Sequence, residues 1–269
     1  MPNRVPPNAG SPGDLERAGA WLAGHGLVDV APTPLLATRL SVRRRARLGA
    51  SVVLAAFIVA VALVYAAGLV ETSRRWSLPA LTALVVGFVA AQASLDRWVR
   101  RVDRRAGASL PRRVAYPVRL GWRTVLGVPR AVFAAATFAG ATALAIGALA
   151  LDDHTARYAA VVLLVGLGGL AVGTVVQLRH IVTHPAVAED EVSLTADVIM
   201  RVEDARVGAA PTAVWSVWSL PVVSVFGTTL GWWNAAWLAF IVLSVIALAL
   251  IEARTARSAA VARHVLSAP

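Results

Sequence analysis

The sequence predicts an all-α polytopic membrane bundle of six transmembrane helices, arranged as three hairpins and accompanied by interfacial amphipathic helices. Three observations support this fold class. Of the 269 residues, 58% are hydrophobic and only 15% are charged, whereas soluble domains average roughly 45–50% and 25%. The apolar residues are concentrated in runs of about 20, long enough to cross a bilayer. An arginine-rich block, residues 97–130, separates two groups of such runs.

The arginines predict the orientation of the spans. The block of residues 97–130 contains ten arginines and one acid, Asp103. Cytoplasmic loops of membrane proteins carry an excess of basic residues, so this block and both termini are placed in the cytoplasm. The predicted inner segments then hold 23 arginines, and the outer turns hold only Arg74, Arg75 and Arg157. All 26 basic residues are arginine, which indicates a GC-rich bacterial genome and hence a bacterial cytoplasmic membrane.

The predicted domain organisation has three parts. Residues 1–34 form a cytosolic tail with a short helix, residues 35–251 form the six-span membrane domain, and residues 252–269 form a cytosolic tail. The two large cytosolic loops are residues 96–130 and 179–212. The six spans are expected at about 48–70, 78–95, 131–151, 158–178, 213–230 and 232–251. Odd-numbered spans begin about 82 residues apart, so either a threefold hairpin repeat or a chance similarity of lengths explains the spacing.

Several segments outside the spans have helical amphipathic patterns. Asp14 can cap a short N-terminal helix, which either lies on the membrane surface or packs loosely as part of the tail. The pattern of residues 35–47 predicts an interfacial helix that leads into span one. A third helix is expected at residues 194–207, with an i, i+4 pair of Asp197 and Arg201. It can rest on the membrane, pack on the arginine block or dock a partner.

Two sets of residues are candidates for functional positions. Arginines beside the spans are predicted to set the topology and to meet anionic headgroups: Arg43, Arg44, Arg45, Arg47, Arg97, Arg100, Arg101, Arg104, Arg105, Arg112 and Arg113. Small residues allow membrane helices to approach closely, which predicts tight packing of spans three and four through Gly140, Gly147, Gly166, Gly169 and Gly173.

Chemistry-bearing patterns are scarce. The chain has no cysteine, and the predicted spans contain no ionisable residue of the kind that marks proton or ion pathways. HExxH, Walker A and GxSxG motifs do not occur. His180 and His184 are four residues apart and can share a metal, but Pro185 disturbs the helix and no third histidine is near. We therefore expect no enzyme activity, cofactor, metal site or nucleic-acid partner.

Two hypotheses of function follow from these observations. The first is a non-enzymatic accessory or scaffold protein that acts through other membrane proteins. The second is a permease subunit served by a separate ATPase, because the architecture resembles six-span ABC exporter permeases. That resemblance implies that residues 35–47 match the interfacial helix before span one and that the arginine block holds a coupling helix. The chain is also similar to other six-span membrane proteins of GC-rich bacteria, a likeness that implies no particular activity.

Overall fold

The computed structural model describes residues 11–68, 74–108, 121–150, 152, 154–184, 191–209, 214–215, 231–255 and 257–267. Every regular element among them is a helix. The helices are α1 (Pro12–Gly24), α2 (Pro34–Gly68), α3 (Arg74–Ala108), α4 (Trp122–Val125), α5 (Val128–Leu149), α6 (His154–Thr183), α7 (Glu191–Gly208), α8 (Gly231–Arg254) and α9 (Ser258–Ser267).

Five helices in the described part of the chain are long and apolar enough to cross a membrane. They cover Pro34–Val64, Leu78–Arg105, Val128–Leu149, Arg157–Thr183 and Ala235–Arg254. Large apolar side chains also point away from the protein, as lipid-facing surfaces require: Val52, Leu63, Val132, Val165, Val172 and Leu243. The protein is therefore a polytopic membrane protein. Most of the predicted span 213–230 lies outside the described residues, so the six-span arrangement stays a prediction.

The bundle core lies where α2, α3, α5, α6 and α8 meet. The rings of Phe57 and Phe88 pack with their centroids 4.8 Å apart, which joins α2 to α3. Small residues of α5, such as Ala141 and Ala145, face the larger Leu163 of α6 within the same cluster. Small side chains opposite larger ones allow membrane helices to approach each other closely.

Helices α2 and α3 continue well beyond the apolar core. Each contains 35 residues, about 50 Å of helix, whereas the hydrocarbon layer is about 30 Å thick. The predicted interfacial segment 35–47 is thus continuous with span one in a single helix. Likewise, residues 97–108 of the arginine block extend α3. We call this arginine-bearing end of the bundle the charged end.

A second layer of short helices covers the charged end. This end layer consists of α1, α4, α7 and α9, which share an apolar cluster with the end of α6. Its buried members are Val125, Leu126, Ile181, Val198, Ile199, Val202, Ala205 and Ala262. On α1, Ala18 and Leu22 are buried and the helix packs against α2. The apolar faces of α1 and α7 are therefore covered by protein.

Candidate functional site

Three arginines of α2 form one side of an ion-pair cluster at the charged end. Arg39, Arg43 and Arg47 are spaced at i, i+4 and i+8, so they lie along one face of the helix. Arg43 binds both carboxylate oxygens of Asp103 on α3, with Nη1–Oδ1 and Nη2–Oδ2 distances of 3.1 and 2.8 Å. Its Nε also donates to Asp204 Oδ2 on α7 at 2.7 Å. A single guanidinium thus joins three helices.

Asp197 of α7 is the most deeply buried member of the cluster, with a side-chain exposure of 0%. Its Oδ1 accepts a hydrogen bond from Arg39 Nη2, and its Oδ2 forms an ion pair with Arg201, whose Nε lies 2.8 Å away. Arg39 Nε binds Asp103 Oδ1 at 3.0 Å as well. A buried carboxylate without partners would be strongly destabilising, so the two guanidinium groups account for its position.

Arg201 also attaches α7 to the end of α6. Its Nη1 donates to the carbonyl oxygens of Ile181 and His184, at 3.3 and 2.7 Å. The last carbonyls of a helix have no partner within the helix and carry partial negative charge. The arginine therefore satisfies the C-terminal end of α6 while its Nε binds Asp197.

Helix α1 joins the cluster through His25. The Nδ1 atom lies 2.7 Å from the carbonyl oxygen of Trp21, and Nε2 lies 3.0 Å from Glu203 Oε1 on α7. Both ring nitrogens therefore face oxygen atoms of other residues. Arg47 Nη2 lies farther from Glu203 Oε2, at 3.6 Å. The cluster thus connects four helices from distant parts of the chain.

The electrostatic balance of the cluster is close to neutral. Arg39, Arg43 and Arg201 face three acids: Asp103, Asp197 and Asp204. Burial raises the pKa of Asp204, and this effect exceeds the opposing attraction of Arg43 and Arg47. At the other side of α7, burial together with Arg201 and Arg104 lowers the pKa of His184.

A cavity of about 430 Å³ adjoins the cluster, between α2, α3 and α6 and beneath α7. At one end it is lined by charged and polar side chains, including Arg47, Arg100, Gln92 and Gln177. Its other end is apolar and is lined by Leu54, Phe88, Val89 and Leu170. The volume falls in the range of about 300–1,000 Å³ typical of small-molecule sites, and the two ends differ in the ligand groups they can accept.

The predicted arginine positions occupy three kinds of environment. Arg43 is buried in the cluster, and Arg100 lines the cavity. The exposed positions are Arg44, Arg45, Arg47, Arg97, Arg101, Arg104 and Arg105, of which Arg47 also borders the cavity. Arg112 and Arg113 lie outside the described residues. Arg43 therefore forms buried ion pairs that its position beside a span did not predict.

The predicted packing glycines also differ among themselves. A Cβ on Gly169 would lie 2.7 Å from Val89 Cγ1 of α3, and one on Gly140 would lie 2.7 Å from Phe240 Cε2 of α8. Gly173 borders the cavity and has open space at its Cβ position. Gly166 is buried in α6, and Gly147 is half-buried near the end of α5. The close approaches thus join α6 to α3 and α5 to α8.

The ring of His180, near the end of α6, lies close to that of His184, which follows the helix, and the two ring planes are inclined at 51°. The centroids of His180 and His184 are 3.7 Å apart. Within the described part of the chain, no group of three or more histidine, cysteine, aspartate or glutamate side chains has a metal-binding arrangement. Gln92 and Gln177 line the cavity.

The predicted pair of Asp197 and Arg201 is confirmed, but sequence reasoning missed the other ion pairs of the cluster, although two signals were present. Asp103 is the one acid among ten arginines of residues 97–130, and an isolated opposite charge in such a block favours an internal partner. The i, i+4 spacing of Arg39 and Arg43 places two cations on one helix face. Neither pattern identifies the partner helix.

Comparison with other proteins leaves the geometry as the basis for assigning a function. No protein-family model matches the chain, and neither the curated proteins nor the solved structures include a match to it.

Proposed function

We propose that this protein is a non-enzymatic accessory or scaffold protein of the bacterial cytoplasmic membrane, with its charged end and both termini in the cytoplasm. The observation that carries the proposal is the buried ion-pair cluster, which attaches a folded end layer to the membrane bundle. Asp197 of α7 reaches both Arg39 of α2 and Arg201 of its own helix. Such an arrangement gives the end layer a fixed orientation relative to the spans.

The cluster also determines the charge of the outer surface. Asp103, Asp197 and Asp204 are engaged by internal arginines, so they do not neutralise the exposed ones. In the part of α2 and α3 whose side chains the structure describes, the exposed arginines are Arg44, Arg45, Arg47, Arg97, Arg101, Arg104 and Arg105. Each arginine near an anionic membrane surface contributes about 1 kcal/mol of attraction. A basic, rigidly held surface suits contact with anionic headgroups and with acidic segments of partner proteins.

The same cluster favours a structural role over catalysis. Asp103 and Asp197 each contact two guanidinium groups, which hold both side chains in place. A general acid or base needs a proton-exchange partner and freedom to change its charge. Arginine partners that stay protonated supply neither, so the cluster supports the accessory role.

The test is purification of the tagged protein from its native membrane in a mild detergent, with mass spectrometry of the copurifying chains. We expect a stoichiometric membrane or envelope protein without ATPase motifs. Its recovery should fall when Arg44 and Arg45 are changed to glutamine, because the exposed charge is removed without touching the cluster. Arg17→Gln, an exposed arginine on α1, is the matched control and should leave recovery unchanged.

Two results would contradict the accessory role. A stoichiometric ATPase would support the permease reading and direct attention to a coupling helix in the arginine block. Recovery of the protein alone, with no stoichiometric partner under low-salt conditions that preserve charge contacts, would remove the basis for a scaffold. A fusion reporter placed after Pro269 tests the orientation separately, and an external readout would show the proposed topology to be wrong.

A further inference from the structure

We propose that the cavity between α2, α3 and α6 binds one anionic amphiphile, a molecule with an acidic group attached to an acyl chain. The acidic group is held by Arg47 and Arg100, and the chain lies against the apolar wall. The membrane's own anionic phospholipid is the occupant that fits this site best. This binding site does not depend on the accessory role and goes beyond it.

The polar end of the cavity has two arginines that no carboxylate of the described residues binds at hydrogen-bond distance. Arg47 is 48% exposed, and its nearest carboxylate oxygens lie 3.6 and 3.7 Å from Nη2, beyond ordinary hydrogen-bond length. Arg100 forms no ion pair within the described part of the chain. Arg39 and Arg43, in contrast, are occupied by carboxylates at 3.1 Å or less. The two outer arginines can therefore bind an added anion.

The local charge balance favours an anion over a cation. Asp96 also lines the cavity, four residues before Arg100 on α3, and offsets one of the two outer arginines. The remaining carboxylates at this end, Asp103 and Asp204, are engaged by the cluster. The lowered pKa of His184, to which neighbouring arginines contribute, agrees with a positive potential at this end of the cavity.

The apolar end of the cavity offers a surface for the acyl chain of the ligand. Leu54, Phe88, Val89 and Leu170 form a wall that an inorganic anion cannot contact favourably. Gly173 of α6 adds width, because no atom outside its own helix lies within 4 Å of its Cβ position. An acyl chain gains free energy by contact with such a wall, while the acidic group gains charge-assisted hydrogen bonds. One ligand with both groups matches both ends.

The experiment measures lipid binding to the full chain purified in a neutral detergent. Native mass spectrometry counts bound ligands during titration with phosphatidylglycerol, phosphatidylcholine, a fatty-acid anion and inorganic phosphate. We expect one tight equivalent of phosphatidylglycerol, bound roughly tenfold more tightly than phosphatidylcholine, because the choline cation of the latter is repelled by the arginines at the polar end. Tighter binding of the fatty-acid anion than of phosphatidylglycerol would support the site and identify the free acid as its occupant.

Charge-matched variants separate a discrete site from general surface attraction. Arg47→Gln and Arg100→Gln should each weaken phosphatidylglycerol binding about fivefold. Their controls, Arg45→Gln and Arg101→Gln, remove the same charge from exposed neighbours that do not line the cavity, and binding should stay within about twofold. Circular dichroism and gel filtration confirm that each variant is folded.

A steric pair tests the site without changing charge. Gly173→Leu fills the cavity and should abolish the tight equivalent. Gly168→Leu places the same side chain on the same helix at an exposed position with open space and should leave binding intact. The proposal is overturned if phosphatidylcholine or inorganic phosphate binds as tightly as phosphatidylglycerol, or if the control variants lose binding to the same extent as the cavity variants.

Discussion

Replacement of Asp197 by asparagine is the sharpest test of the ion-pair cluster. The change keeps the size of the side chain and one oxygen acceptor but removes the charge. Arg39 and Arg201 then remain buried beside a neutral group, because the side chain of residue 197 has an exposure of 0%. Because the two guanidinium groups are held by helices α2 and α7, they cannot reach water without moving the end layer.

The expected loss in the free energy of unfolding depends on the partners that Arg39 and Arg201 retain. Breaking a buried ion pair by removing one member typically lowers the free energy of unfolding by about 3–5 kcal/mol. Arg39 retains Asp103, and Arg201 retains the carbonyl oxygens of Ile181 and His184, so we expect the lower end, about 3 kcal/mol. For a protein of this size, that corresponds to a decrease in Tm of about 6–12 °C.

The assay is thermal unfolding in a mild detergent, combined with hydrogen exchange. Exchange should accelerate in α7 and at the start of α2, whereas the bundle core should be unaffected. Asp152→Asn is the matched control, because its carboxylate pairs with Arg157 at 2.9 Å but is fully exposed. The double variant Asp197→Asn with Arg201→Gln should be less destabilised than the sum of the single variants. A Tm for Asp197→Asn equal to that of the Asp152 control would refute the reasoning.

Three further predictions concern packing, attachment of α1 and pH. Gly169→Leu should lower the free energy of unfolding by about 2 kcal/mol through overpacking, and Val89→Ala in the same chain should restore part of it. Glu203→Gln should accelerate hydrogen exchange in α1 about fivefold, since it weakens the contact with His25; unchanged exchange would contradict this attachment. Burial and neighbouring arginines lower the pKa of His184 in the folded protein. As the pH falls below about 6.5, His184 therefore takes up a proton in the unfolded chain before it does so in the folded protein. Stability should therefore fall as pH decreases, and Tm measurements should show a shallower pH dependence for His184→Gln.

The helical content of the spans could be predicted because lipid leaves few alternatives. A run such as residues 128–149 cannot satisfy its backbone hydrogen bonds with water inside a bilayer, so it forms a helix from its own residues. The amphipathic pattern around Val198 and Ile199 predicted α7 for a related reason, since its apolar face requires a cover. The pattern alone did not predict whether lipid, a partner protein or the rest of the chain packs against that face.

Continuity of the helices was harder to predict. Residues 35–47 differ in composition from the span that follows, which suggested a separate interfacial helix. No proline or glycine before Gly49 interrupts the pattern after Pro34, and α2 runs through both parts. Arg39 and Arg43, on one face, stabilise this extension by binding α3 and α7, a contribution that depends on neighbours far away in sequence.

The sequence by itself determined the membrane class, the positions of most apolar helices and the concentration of arginine at one end. These properties follow from hydrophobicity, helix length and charge, which act over a few turns. Only the tertiary structure decided which charges pair, because Arg39 meets Asp103 across 64 residues and Asp197 across 158. It also decided that the space beside Gly173 is a cavity while Gly169 is in close contact with α3. Both outcomes depend on the angles and separations at which whole helices pack, which no local pattern encodes.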